Sequence, residues 1–164
     1  MKEILDKISS YNLFNYLLPG IIFVVTVRIF TSYSFIQENI IIGLFIYYFI
    51  GLVISRFGSL IIEPVLRKVS FLKFADHKDF ISISRKDTKM ETLLQENNMY
   101  RTFVSMFFLV LLLKLYESIE VRFLILKEWN LFILIVLLLI LFIYSYRKQT
   151  NYITKRINLN RRNI

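Results

Sequence analysis

An all-α membrane protein with four transmembrane helices, both termini cytoplasmic and one cytoplasmic loop element is the fold class this sequence predicts, and three observations carry it. Four long apolar segments run from about Leu13 to Ile29, Ile40 to Ile54, Thr102 to Tyr116 and Trp129 to Tyr146. Of the 164 residues, 56% are hydrophobic, more than an ordinary soluble domain of this size buries. Lys and Arg, finally, are distributed lopsidedly around the four segments. A helix rises about 1.5 Å per residue, so about 20 residues cross a hydrocarbon core of about 30 Å, and interfacial residues extend the shorter runs.

The charge of +9 resembles a nucleic-acid signal until it is mapped onto the spans. Seventeen of the 21 Lys and Arg lie before the first span, between positions 56 and 101, or after Tyr146, and only Arg28, Lys114, Arg122 and Lys127 fall on the other side. The positive-inside rule then predicts a multi-pass protein with both termini and the central loop cytoplasmic, N-in and C-in. That asymmetry accounts for the basicity without nucleic acid.

Residues 1–12 read as an interfacial amphipathic segment, with Ile4, Leu5 and Ile8 on one side. Cleavage as a signal peptide is not expected, because Glu3 and Asp6 offset Lys2 and Lys7 and no small-residue cleavage site follows the first span. Residues 13–62 form the first transmembrane hairpin. Its first span carries Pro19-Gly20, and the proline predicts a kink near Asn15, either a hinge or a static bend satisfied by neighbouring helices. The short, nearly uncharged loop 31–38 makes the hairpin tight. The second span continues past the membrane and ends near Glu63, since Pro64 disfavours helical geometry in the residue before it.

Gly51, Ser55 and Gly58 recur at helical spacing and form the helix-packing face of that span. They serve either another span of the same chain or a homo-oligomer seam. On a regular helix Arg56 and Glu63 fall on the opposite face, near the inner headgroups, where anchoring competes with docking or a pore vestibule.

Residues 63–101 are the cytoplasmic loop. Phe80-Ile81-Ser82-Ile83-Ser84 reads as a short strand or extended loop, and Met90 to Glu96 as helical. Residues 102–146 form the second transmembrane hairpin, whose spans are joined by a capping segment, 117–128. Lys114 sits about one turn below the outer interface with Glu117 at i+3 as a partner, so snorkelling or local pairing competes with a pore-lining role. Arg28 carries the same alternatives. The tail, 147–164, has six cations and no acidic residue, and is either disordered or an extension of the fourth helix. Arg147, Lys148, Lys155, Arg156, Arg161 and Arg162 are its candidate lipid or partner contacts, at roughly 1 kcal/mol per charge held near anionic headgroups.

No catalytic, cofactor-binding or metal site is expected. The chain has no cysteine and one histidine, His77, whose neighbours Asp76, Lys78 and Asp79 cannot share one face of a regular element. No nucleophile motif or glycine-rich phosphate loop accompanies them. Enzymatic function is therefore not expected.

Three stretches, 11–20 (YNLFNYLLPG), 58–64 (GSLIIEP) and 97–102 (NNMYRT), resemble a group of small, mostly uncharacterised bacterial membrane proteins. The resemblance implies the architecture and no activity. By helix count and size alone the chain is also similar to the four-helix membrane subunits of anti-phage systems such as Kiwa, which work with a soluble cytoplasmic partner. The expectation is a non-enzymatic, oligomeric inner-membrane protein that docks a soluble cytoplasmic partner and contacts anionic lipid, as a sensor or effector of anti-phage defence. A small oligomeric channel or transporter, drawing on Asn15, Thr26, Arg28 and Lys114, is the alternative.

Overall fold

The computed structural model of the chain describes residues 12–75, 87, 89–123 and 125–161, with backbone alone at 159–161. Most of the amphipathic segment 1–12, the 76–79 cluster, the strand expected at 80–84 and Arg162 lie outside the described residues. What is described is helical, and four of its helices are long and apolar enough to cross a membrane.

The first span opens with a π turn, Leu13–Leu17, and continues as α1, Leu18–Phe30. The second is α2, Ile40–Phe57, a second π turn, Gly58–Ile62, and α3, Glu63–Lys68. The third is α4, Lys89–Glu120, and the fourth α5, Ile125–Arg161. Side chains mark two starts: Asn39 Oδ1 accepts from the Ile41 and Ile42 N–H groups, and Asp87 Oδ1 from Lys89 N–H.

Each π turn ends two residues before a proline. A proline ring clashes with the carbonyl four residues back, and a turn widened by one residue makes room for it. The first of these turns contains Asn15, where the kink was expected. The same device corrects the expected end of the second span: Glu63 keeps helical angles, φ −59° and ψ −48°, despite preceding Pro64, and the helix runs on to Lys68. Two further boundaries differ from expectation. The third helix begins at Lys89, inside the expected loop, and runs unbroken to Glu120; the fourth begins at Ile125, so the connection between them is four residues rather than a capping segment.

The core joins three of the four spans. Phe23, Val24 and Val27 of α1 meet Ile54 of α2 and Met106 and Val110 of α4. Glycine permits the closest approach: a Cβ at Gly51 would overlap the Tyr16 carbonyl, and one at Gly20 would overlap the Tyr47 carbonyl and lie 3.1 Å from Gly51 N. The first two spans therefore touch backbone to backbone. The fourth span adds nothing to this core. Its run from Leu131 to Ile143 has no small residue to let another backbone near, so it lies at the periphery, tied by a Phe49–Phe142 ring stack at 6.0 Å and by polar contacts at its two ends.

Candidate functional site

The second π turn builds the polar end of the bundle. Glu63 N–H bonds to the Gly58 carbonyl, five residues back, instead of to Ser59, and Pro64, next in line, has no N–H. The Ser59 carbonyl is thus released from the helix. Lys148 of the fourth span takes it, donating from Nζ to Ser59 O at 2.6 Å and to Ser59 Oγ at 2.7 Å. One missing proton at Pro64 becomes the tether between two spans. Lys148→Met keeps the stem but orphans that carbonyl; it should weaken attachment of the fourth helix by about 1–2 kcal/mol, read as faster proteolysis between Glu120 and Ile125 with the other three spans unaffected.

The extra residue in the turn also rotates the segment after it. On a regular helix Gly58 and Glu63 stand about 140° apart, but absorbing one residue into the turn leaves them about 40° apart. Glu63 therefore faces the third span, not the side opposite the glycines as the 3.6-residue period suggested. Its Oε2 accepts from Arg101 Nη1 at 2.6 Å, and both side chains are about one-fifth exposed. Arg101 also passes Gly58, and a Cβ there would overlap Ser105 Oγ. Gly51, Ser55 and Gly58 are all buried within the chain, Gly51 against the first span and Gly58 against the third.

Deeper in, Asn15 of the first π turn is 2% exposed, and its carboxamide lies 3.4 Å from Thr102 Oγ1. The one proton of Thr102 is donated to the Asn98 carbonyl at 2.8 Å, the shorter of its two contacts, and the weaker one faces Asn15 Oδ1. Ser105 donates to the Arg101 carbonyl at 2.7 Å. Asn15, Ser59, Glu63, Arg101, Thr102, Ser105 and Lys148 are thereby brought to one end of the bundle.

Beside them, Arg147, Lys148 and Lys155 of α5 line an open groove of about 390 Å³ with Asn151 and Tyr152, while Leu60 and Tyr144 form its apolar wall. Lys148 lies 5.8 Å from the Tyr152 ring centroid. Arg156 is exposed outside this lining, and Arg161 ends the helix. As far as Arg161 the tail is thus a continuation of the fourth helix. Arg56 lies part-buried two residues before the π turn.

The opposite end is charge-balanced, with Arg28, Lys114, Arg122 and Lys127 set against Glu38, Glu117, Glu120 and Glu128. Glu117 accepts from Lys114 Nζ at 2.8 Å and from Ser32 N–H at 2.7 Å, tying the first loop to the third helix. Arg28 is exposed there. Glu120 accepts from the Tyr33 hydroxyl and from Asn130 Nδ2, and Tyr116 donates to Asn130 Oδ1, so the first loop and the third and fourth helices meet on one carboxylate and one amide. Burial first, and then the Glu120 carboxylate, push the Tyr33 phenol well above its ordinary range. A raised phenol leaves its contribution intact below the ordinary tyrosine range and loses it only as pH rises through that range and beyond. Tyr33→Phe should accordingly lower the melting temperature by a few degrees at neutral pH and flatten its decline on the alkaline side, checked by melts across that range.

Arg101, Ser59, Thr102, Ser105, Tyr33, Glu120 and Asn130 were not singled out in the sequence. The signal that could have found some of them is the polar triplet Arg101, Thr102 and Ser105 at the start of an apolar helix, since polar groups in a span turn toward its neighbours. Among the described residues no group of three or more acidic, histidine or cysteine side chains is placed to hold a metal. No protein-family model, curated protein or solved structure matches the chain.

Proposed function

We propose that this chain is a non-enzymatic, inner-membrane docking protein, N-in and C-in, whose basic end receives a soluble cytoplasmic partner with an acidic surface. The observation that carries the reading is the length of its two longest helices. At about 1.5 Å per residue, α4 is roughly 48 Å long and α5 roughly 55 Å, against a core of about 30 Å, and the contacts of Arg101 and Lys148 bring their surplus to the same end of the bundle. Those projecting turns expose Leu93, Leu94, Ile153 and Ile157 beyond the apolar runs, beside the acid-free tail. Leu93 and Leu94 lie between Glu91 and Glu96, whereas Ile153 and Ile157 flank Lys155 and Arg156, so the tail side of this surface suits a partner that is amphipathic and negative.

Self-association, expected through Gly51, Ser55 and Gly58, moves in this reading to the exposed side of the fourth helix, because the small-residue face is occupied within the chain. The channel alternative finds less support: Val24, Val27, Ile54 and Met106 fill the middle of a single copy, so a path would have to run between copies. A role in phage defence rests on helix count alone, and no residue of the chain speaks for it.

Photo-crosslinking residues placed at Leu94 and Ile157 in cells test the reading. One soluble protein should be captured at both positions, none at lipid-facing Leu139, and capture should be abolished by Lys155→Glu with Arg156→Glu. Crosslinks to lipid or to the chain itself alone, or capture indifferent to the charge reversal, would contradict it.

A further inference from the structure

The groove on the fourth helix holds three cations and no carboxylate. Glu63, the nearby acid of the polar cluster, is engaged by Arg101. Lys148 is fixed by two neutral oxygens of Ser59, which hold the ammonium in place without neutralising it and leave one of its three N–H groups uncommitted. Clustered positive charge whose nearest carboxylate, Glu63, is already bound by Arg101 is unfavourable unless a further anion is supplied from outside.

Resting on the membrane reading proposed for the chain, we propose that this groove is a site for the phosphate of one anionic phospholipid, held by Arg147, Lys148, Asn151 and Lys155. Depth supports it: Trp129 and Lys148 are 19 residues apart on one helix, roughly 28 Å, so a bilayer anchored at Trp129 brings its far headgroups to Lys148. The groove is also amphipathic in the required sense. Leu60 and Tyr144 wall the side toward the apolar run of the helix, where the glycerol and acyl chains of a lipid continue, whereas a free phosphate has no use for them. Selection for net negative lipid follows from charge. A zwitterionic headgroup brings its own cation beside the phosphate, and three protein cations with no acid repel it.

The test is native mass spectrometry of the full chain in detergent, titrated with phosphatidylglycerol, with phosphatidylcholine or with inorganic phosphate. Arg147→Gln with Lys155→Gln should weaken retention of phosphatidylglycerol about 30-fold, as expected for two charges held at the headgroup. An equally discharged control, Lys68→Gln with Lys73→Gln, exposed and outside the lining, should change it less than about threefold, its charges being screened from the site. Circular dichroism should show both pairs equally helical. Equal loss in the two pairs, equal retention of phosphatidylcholine, displacement by inorganic phosphate at matched concentration, or a groove pair that keeps its lipid and loses only an acidic protein partner would each overturn the proposal. Failure of the crosslinking experiment at Leu94 and Ile157 would leave these results standing, so the two readings fail separately.

Discussion

Gly51→Ala separates the first two spans. The added methyl meets the Tyr16 carbonyl, which is helix backbone and cannot rotate away as a side chain would, so one helix must move outward along its whole contact. Val24, Val27 and Ile54, all almost fully buried, lose neighbours when it does. Overpacking of this kind costs about 3 kcal/mol, and in lipid no hydrophobic drive between helices compensates for lost fit. The expected result is a melting temperature lowered by several degrees in mild detergent and a first span newly open to protease. Gly43→Ala is the matched control. Its Cβ would come no closer than 3.2 Å to the ring of Tyr47, which can swing aside, so the cost should stay below about 1 kcal/mol.

Glu63→Gln comes second in size. It leaves the Arg101 guanidinium without its carboxylate in a site only about one-fifth exposed, where Arg101 Nε already lacks a partner. A fully buried pair broken on one side costs about 3–5 kcal/mol; partial exposure here brings the expectation to about 2 kcal/mol. The double exchange Glu63→Arg with Arg101→Glu should recover most of the loss, while Arg101→Leu with Glu63→Leu should be better tolerated than either single change. A thermal melt of the five variants, the two single leucine changes included, checks the order.

The number of spans could be read from apolar runs alone, because crossing a hydrocarbon core imposes a length that few other sequences meet. Local geometry was equally open: Lys114 and Glu117 are three residues apart, and a helix puts such neighbours on one face. Glu63 and Arg101 are 38 residues apart and Asn15 and Thr102 are 87 apart. Their meeting depends on the register between spans, which periodicity does not carry. The π turn adds a second obstacle. A regular 3.6-residue period assigns Glu63 to the face away from Gly58, and only the extra residue absorbed before Pro64 turns it inward. The tail was ambiguous for a different reason: residues 147–161 lack an apolar stripe of their own, and their helicity is continued from the span before them.

In the proposed orientation the end carrying Glu63, Arg101 and the basic groove faces the cytoplasm. A chain without cysteine allows a direct test, since each introduced thiol is the sole target. Single substitutions Gln37→Cys, Lys68→Cys and Lys155→Cys are treated with a membrane-impermeant maleimide in intact spheroplasts and again after permeabilisation. A cytoplasmic basic end predicts immediate labelling at position 37 and labelling at 68 and 155 only once the membrane is opened. Labelling of 68 or 155 from outside, or protection of 37, would contradict it.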